Sequence, residues 1–182
     1  LQNNKDKTVI FFCLCATETG VFHESLGFAA LHEIPVIFIC ENNLYSVYTH
    51  VRDRQSNKRS LKTIVEGHGI EYLHGNGNDM DEVFELSKQS IEHIKVNKSP
   101  ILLEFDTYRW LEHCGPDNDD HLNYRDETVT KKWLENCPIN LFQTKLLDVG
   151  VLTKKEIDKN LKLLNREILE AFADAKKADF LP

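Results

Sequence analysis

Two adjacent asparagines, Asn42 and Asn43, close a short apolar run in PVIFICENNLY. Their amide oxygens are neutral, hard donors that suit a cation such as magnesium. Asparagine is also a common way to leave a strand, and on local grounds a plain turn is the stronger reading. Upstream, Cys13 and Cys15 bracket Leu14 in FFCLCATETG, where an apolar run meets a helix-like one. Such junctions commonly receive an anion in α/β proteins. This one carries no glycine and no carboxylate before Glu18. Two thiols at that spacing suggest zinc, but a zinc site wants a second short-spaced Cys/His pair, and none follows. Buried, reduced thiols are the simpler account of Cys13, Cys15 and Cys40, and they suit a reducing compartment. His113 lies in a polar stretch; a lone loop histidine of this kind, like His32, His93 or His121, reads by default as a bystander.

The elements that must position these residues follow from periodicity. A strand is expected at Thr8–Leu14, with Phe11, Phe12 and Leu14 buried. A helix follows from Thr19 to Glu33, with Phe22, Leu26, Ala29 and Ala30 on one face. PVIFIC is short, continuous and β-branched, as a strand buried on both sides should be. Residues 41–60 read as an irregular loop, and Ser60–Glu66 as a short helix ending at Gly67. Ile70–Leu73 is a weak strand and HGNGND a turn. Asp79 with Glu82 forms a capping box for a helix to Asn97, with apolar positions Met80, Val83, Phe84, Ile91 and Ile94. ILLEFDTYRW is a fourth strand. LEHCGPDNDDHLNYRDE is a long loop, of a length that is usually functional or mobile. The remainder is helical: Glu127–Asn136, Ile139–Leu147, and a long helix opened by a Thr153/Glu156 box, with a stripe of Ile157, Leu161, Leu164, Ile168 and Phe172. Strands alternating with helices specify a parallel α/β sheet, which binds ligands past the carboxyl ends of its strands.

Composition narrows the functions. The 182 residues carry 22 Lys+Arg against 29 Asp+Glu, a net charge of −7. That disfavours nucleic acid, which needs a basic face. No apolar run approaches the roughly 20 residues of a membrane span. The chain opens at Leu1 almost directly into a strand, which suggests a fragment or a processed piece, and a cytoplasmic location is expected.

Residues 16–45, ATETGVFHESLGFAALHEIPVIFICENNLY, resemble the alpha subunit of thiamine diphosphate-dependent 2-oxo acid dehydrogenases, a group that includes the pyruvate, branched-chain and acetoin dehydrogenase components. The similarity continues through HGIEYLHGNGNDMDEVFE, TYRWLEH and NYRDE to CPI. It implies a thiamine diphosphate-binding α/β fold over residues 1–125, lacking its first third, and a helical extension over 126–182. The family's Gly-Asp-Gly…Asn-Asn motif binds magnesium, which bridges the cofactor's phosphates. The resemblance places Asn43 and the Tyr45 carbonyl on the metal. It places Leu14 where the aspartate stands, and Cys13 and Cys15 where the glycines stand. Leucine has no oxygen for magnesium, and thiols crowd a diphosphate that glycines admit. Gly27 departs too, from an asparagine. Either the protein has lost its metal site, or these three positions depart from the functional protein's.

The resemblance further implies His113 at the cofactor's reactive carbon, where an imidazole suits proton transfer. Arg109 and Arg125 resemble arginines that order the active-site loop and its cofactor contacts, with Asp117 and Asp119 as acceptors. Cys114 stands where mitochondrial relatives carry a phosphorylated serine, so that regulation is not expected. Glu24 falls on a motif position but suits a helix surface equally, and Asp79 is explained as a cap. The implied reaction is oxidative decarboxylation of a 2-oxo acid, with the acyl group passed to a lipoyl carrier. The implied partners are a beta subunit, in a heterotetramer, and a lipoyl-bearing acyltransferase. The alternative is a cofactor-free paralogue or fragment with a non-catalytic role, which Leu14 favours and the retention of Asn43 and His113 disfavours.

Overall fold

The computed structural model describes residues 7–180; Leu1 lies outside them. Among these residues are strands β1 (Thr8–Cys13), β2 (Val36–Asn42), β3 (Tyr45–Ser46), β4 (Thr49–His50), β5 (Glu71–Asn76) and β6 (Ile101–Asp106). The helices are α1 (Gly20–Leu31), α2 (Leu61–Gly67), α3 (Met80–Val96), α4 (Glu127–Glu135), α5 (Pro138–Asp148) and α6 (Lys154–Lys177). Four strands pair in parallel in the order β1-β2-β6-β5. β3 and β4 form a separate antiparallel hairpin.

Alternation along β2 explains why its run is apolar throughout. Val36, Phe38 and Cys40 face a core built with Phe22, Leu26 and Ala29 of α1 and Leu61 and Val65 of α2. Ile37 and Ile39 face the other side, with Ile94 of α3 and Ile101, Leu103 and Phe105 of β6. A strand covered on both faces has no polar positions to spare. α1 stops where Glu33 turns left-handed, at φ 49°, and Ile34 N–H donates back to Ala29 O at 3.0 Å. Ser60 caps α2 by accepting from Thr63 N–H. Asp79 caps α3 by accepting from the Asp81 and Glu82 N–H groups. Gly77 is required by close approach, since a Cβ there would lie 2.9 Å from Asp106 O.

Several expectations need correction. β1 ends at Cys13, and Leu14 opens a 3₁₀ turn to Glu18. Val9, Ile10 and Phe11 are exposed rather than buried, because β1 pairs only with β2. The 41–60 loop contains the hairpin. β5 runs on through His74, Gly75 and Asn76, which read as a turn. β6 stops at Asp106, short of TYRW. On α3 the buried positions are Ser90 and Ile94, while Met80, Phe84 and Ile91 are exposed.

The chain divides between Pro138 and Ile139 into two compact units. α4 belongs with the sheet, its Trp133 ring stacked on Tyr108 at 5.7 Å. In the second unit, α6 begins with a complete capping box between Thr153 and Glu156. Its stripe of Leu161, Leu164, Ile168 and Phe172 is more than half exposed. No helix among the described residues is long and apolar enough to cross a membrane.

Candidate active site

At the end of β2 the chain makes two overlapping asparagine turns. Asn42 Oδ1 accepts from Leu44 N–H at 3.1 Å, and Asn43 Oδ1 accepts from Tyr45 N–H at 3.0 Å. Leu44 takes a left-handed φ of 66° and Val47, at the hairpin tip, one of 53°. Such values are costly for non-glycine residues, most of all for a β-branched one. Each is held by its carbonyl: Leu44 O accepts from Val51 N–H at 2.7 Å, and Val47 O accepts from Arg109 Nη2 at 2.7 Å.

That second contact ties the hairpin to the long loop after β6. Arg109 also donates to Leu111 O at 2.5 Å and to the Tyr124 hydroxyl at 3.0 Å. Arg125 donates to Arg109 O, to Trp110 O at 3.1 Å and to the Asp119 carboxylate. The Arg125 and Asp119 side chains are each only 2% exposed. Tyr124 completes the set by donating to Asp119 Oδ2 at 2.6 Å. Burial, then this bond to Asp119, pushes the Tyr124 phenol up to about 12, so it remains a donor. Its ring meets Tyr45 at 5.7 Å and Tyr48 at 5.1 Å, edge to face.

Within the loop, Asp119 accepts from Arg125 and Tyr124, while Arg109 Nη1 stands 3.7 Å from it. Asp117 takes part through its backbone, accepting from Glu112 N–H at 2.9 Å. His113 and Cys114 sit exposed on this loop.

The 3₁₀ turn that follows β1 lies beside β3. Leu14 is 4% exposed and packs in the α1/α2 core, and its carbonyl accepts from the Thr17 hydroxyl at 2.7 Å. Cys13 and Cys15 are half-buried and Cys40 is buried, all three free. Burial raises the Cys13 thiol above its usual range, and the nearby Cys15 and Glu41 raise it further. Residues 13–15 thus offer two thiols and an aliphatic side chain. Among the described residues no group of three or more His, Cys, Asp or Glu is placed to hold a metal ion.

Magnesium wants octahedral, all-oxygen coordination. Asn43 Oδ1 and the Tyr45 carbonyl are the only two of the expected donors that carry oxygen, and Asn43 Oδ1 already accepts one hydrogen bond. The residues present do not fit a complete magnesium site.

Sequence reasoning missed three contributors. Arg59 donates to Thr17 O at 2.6 Å, and Arg54 pairs with Glu18; both tie residues 50–59 to the β1–α1 junction. Glu104, buried on β6, accepts from Asn42 Nδ2 at 2.7 Å. Past the carboxyl ends of β2, β5 and β6 a cavity of about 560 Å³ is lined by Asn42, His74, Asp106 and Trp133. His74 Nε2 lies 3.0 Å from Asp106 Oδ2 there. These are contacts between strands distant in sequence; the one local signal was the arginine content of RDRQSNKR.

The family model described as dehydrogenase E1 component matches residues 1–182. The 2-oxoisovalerate dehydrogenase subunit alpha of Bacillus subtilis is 30% identical over 165 residues, covering 91% of this chain and 49% of that one. The pyruvate dehydrogenase E1 component subunit alpha of Rhizobium meliloti is 32% identical over 180 residues, covering 98% of this chain and 49% of that one. The chain thus spans about half the length of these relatives. Among solved structures, a transketolase from Campylobacter jejuni superposes on 56% of this chain and 15% of its own, with a TM-score of 0.49 and 22% identity.

Proposed function

We propose, since this chain belongs to the dehydrogenase E1 component family, that the whole protein is the alpha subunit of a thiamine diphosphate-dependent 2-oxo acid dehydrogenase. It would decarboxylate a 2-oxo acid beside a beta subunit, in a heterotetramer, and pass the acyl group to a lipoyl-bearing acyltransferase. Pyruvate and branched-chain oxo acids are the substrates that its relatives' names suggest. A cytoplasmic location is part of the same reading.

The observation that carries it is the buried Arg125–Asp119 pair with Arg109 and Tyr124. These four residues hold the loop that carries His113, and Arg109 and Tyr124 join that loop to the Tyr45 hairpin. A loop needs no such buried ion pair merely to cover a sheet edge, and positioning of this kind is what a cofactor enzyme must supply. Thiamine diphosphate, when bound, supplies the electron sink for decarboxylation. From this chain, Tyr45 and its hairpin form one wall, the arginines fix the loop, and the His113 imidazole holds or moves a proton, as imidazoles do at neutral pH. Magnesium is proposed to depend little on this chain, its contacts limited to Asn43 and the Tyr45 carbonyl.

The second reading, a cofactor-free subunit, is favoured by one observation: Leu14 is a packed core residue at the expected metal-binding position. Calorimetric titration of thiamine diphosphate into the full-length protein assembled with its beta subunit separates the two. It is run with and without Mg²⁺, beside the Cys13→Gly, Leu14→Asp, Cys15→Gly form. Binding by the unaltered assembly supports the enzyme reading. Binding by the altered assembly alone supports the cofactor-free one, and binding by neither sinks the catalytic claim.

A further inference from the structure

Glu104 stands on β6, 7% exposed, on the strand face that Leu102 shares with the α1/α2 core. A carboxylate in such a place is unfavourable unless its oxygens are hydrogen-bonded. Both are. Oε1 accepts from Asn42 Nδ2 at 2.7 Å, and Oε2 accepts from the Tyr72 hydroxyl. Burial, then the bond to Glu104, pushes the Tyr72 phenol up, so it stays a donor at neutral pH.

The consequence is carried by Asn42. An amide side chain can point either end at a neighbour, and the choice is made by its surroundings. Glu104 accepts only, so it draws the Asn42 NH₂ group toward the sheet and leaves Oδ1 facing Leu44 N–H, 3.1 Å away. That bond caps the residue held at a φ of 66°. Leu44 O in turn accepts from Val51 N–H, at 2.7 Å, and closes the hairpin. Asn42 O accepts from Thr107 N–H at 2.9 Å, joining the same turn to the start of the active-site loop. Reversing the Asn42 amide would set an N–H against the Leu44 N–H and break the chain of bonds at its second link.

We propose that Glu104 is a positioning residue: through Asn42 it fixes the Asn43–Tyr45 turn and the hairpin to which the active-site loop is anchored. Its catalytic consequence rests on the alpha-subunit reading; its structural half can be tested without cofactor.

The test exploits the direction of the bond. Asn42→Asp keeps an oxygen for Leu44 N–H but sets a carboxylate against Glu104. Combined with Glu104→Gln it restores the bond in reverse, because the introduced amide can donate through its Nε2 to the introduced carboxylate while its Oε1 accepts from Tyr72. Amide hydrogen exchange at Leu44 and Val51 is measured on the intact protein, relative to sheet amides such as Ile39 and Leu103. Turnover of a 2-oxo acid by the assembled enzyme is followed in parallel. Asn42→Asp should lower protection at Leu44 and Val51 about tenfold, the equivalent of one lost hydrogen bond. It should lower kcat with it, and the double variant should return both. Folding of the double variant alone, with Asn42→Asp unfolded, would be the same coupling in a stronger form. Unchanged Leu44 and Val51 exchange in Asn42→Asp overturns the proposal, as does equal loss at all amides or a folded double variant without rescue. Absence of turnover by the unaltered assembly would sink the alpha-subunit reading, while the exchange result still decides this one.

Discussion

Replacing Asp119 by alanine should release the loop of residues 107–126 while leaving the sheet folded. Asp119 is 1% exposed and takes hydrogen bonds from Arg125 and Tyr124, with Arg109 Nη1 a further 3.7 Å away. Its removal leaves the Arg125 guanidinium buried with two backbone carbonyls and the partly exposed Asp120. Breaking a buried pair by deleting one partner costs about 3–5 kcal/mol, most of it from the charge left behind. At roughly 1.4 kcal/mol per factor of ten, that shifts the loop's opening equilibrium by about two to three and a half orders of magnitude. Whole-domain stability is commonly about 5–15 kcal/mol, and none of these partners lies in either core cluster. The loss is therefore expected as local opening.

Limited proteolysis and hydrogen exchange across residues 107–126 are the assays. Cleavage and exchange should rise there, with little change at Leu102 or Ile37. Asp119→Leu with Arg125→Met removes both charges and should recover much of the loop's protection, because apolar replacement of a buried pair is often neutral. An Asp119→Ala protein with unaltered exchange over 107–126 would refute the reasoning. So would one that loses the sheet and the loop together.

Leu14→Asp in the cofactor-free protein removes a packed core side chain and buries a carboxylate, so thermal unfolding should reveal a loss of about 3–5 kcal/mol; no loss would show that Leu14 is not a core residue. Thr153→Ala removes the side chain that accepts from Glu156 N–H at 3.3 Å and donates to Glu156 Oε2 at 2.7 Å, and should weaken the first turn of α6 by about 1 kcal/mol, read as faster exchange at its leading amides. Glu18 offers a pH test. Burial pushes its carboxyl up, but hydrogen bonds from Gln55 and Arg54 outweigh that and hold it below its ordinary value. The stability it contributes is present above the ordinary carboxylate range and lost as pH falls through the lowered folded value. Residues 50–59 should thus become more protease-sensitive below about pH 4, and Glu18→Gln should show that sensitivity already at neutral pH.

What was legible in the sequence was local. The two-sided strand β2, the Asp79 and Thr153 caps and the alternation of strands with helices all depend on residues within a few positions of one another, and all are present. The β3–β4 hairpin escaped because its left-handed positions are Leu44 and Val47 rather than glycine or asparagine, so it carries none of the usual turn signals. Exposure along β1 could not be read either, since an apolar strand has the same composition whether it is paired on one side or two. On α3, Met80, Phe84 and Ile91 fit a helical period but miss the face that Ile94 buries. Glu104 was not legible at all. Its partners Asn42 and Tyr72 lie 62 and 32 residues away, a distance at which only the sheet's register brings them together.

The two sides of the candidate site obey different rules. On the hairpin side, backbone strain at Leu44 and Val47 is sustained by bonds from Val51 and Arg109. The residue types there are the ones the bonds require: an acceptor-only carboxylate at Glu104, an amide at Asn42, a forked cation at Arg109. Strain persists only where surrounding contacts over-determine it, and it gathers where geometry matters. On the β1 side no described residue from Lys7 to Glu18 takes a left-handed φ. Leu14 fills a hydrophobic core, and the thiols of Cys13 and Cys15 are free. The strained backbone of this region is therefore at Leu44 and Val47, and Arg109 holds the second of them.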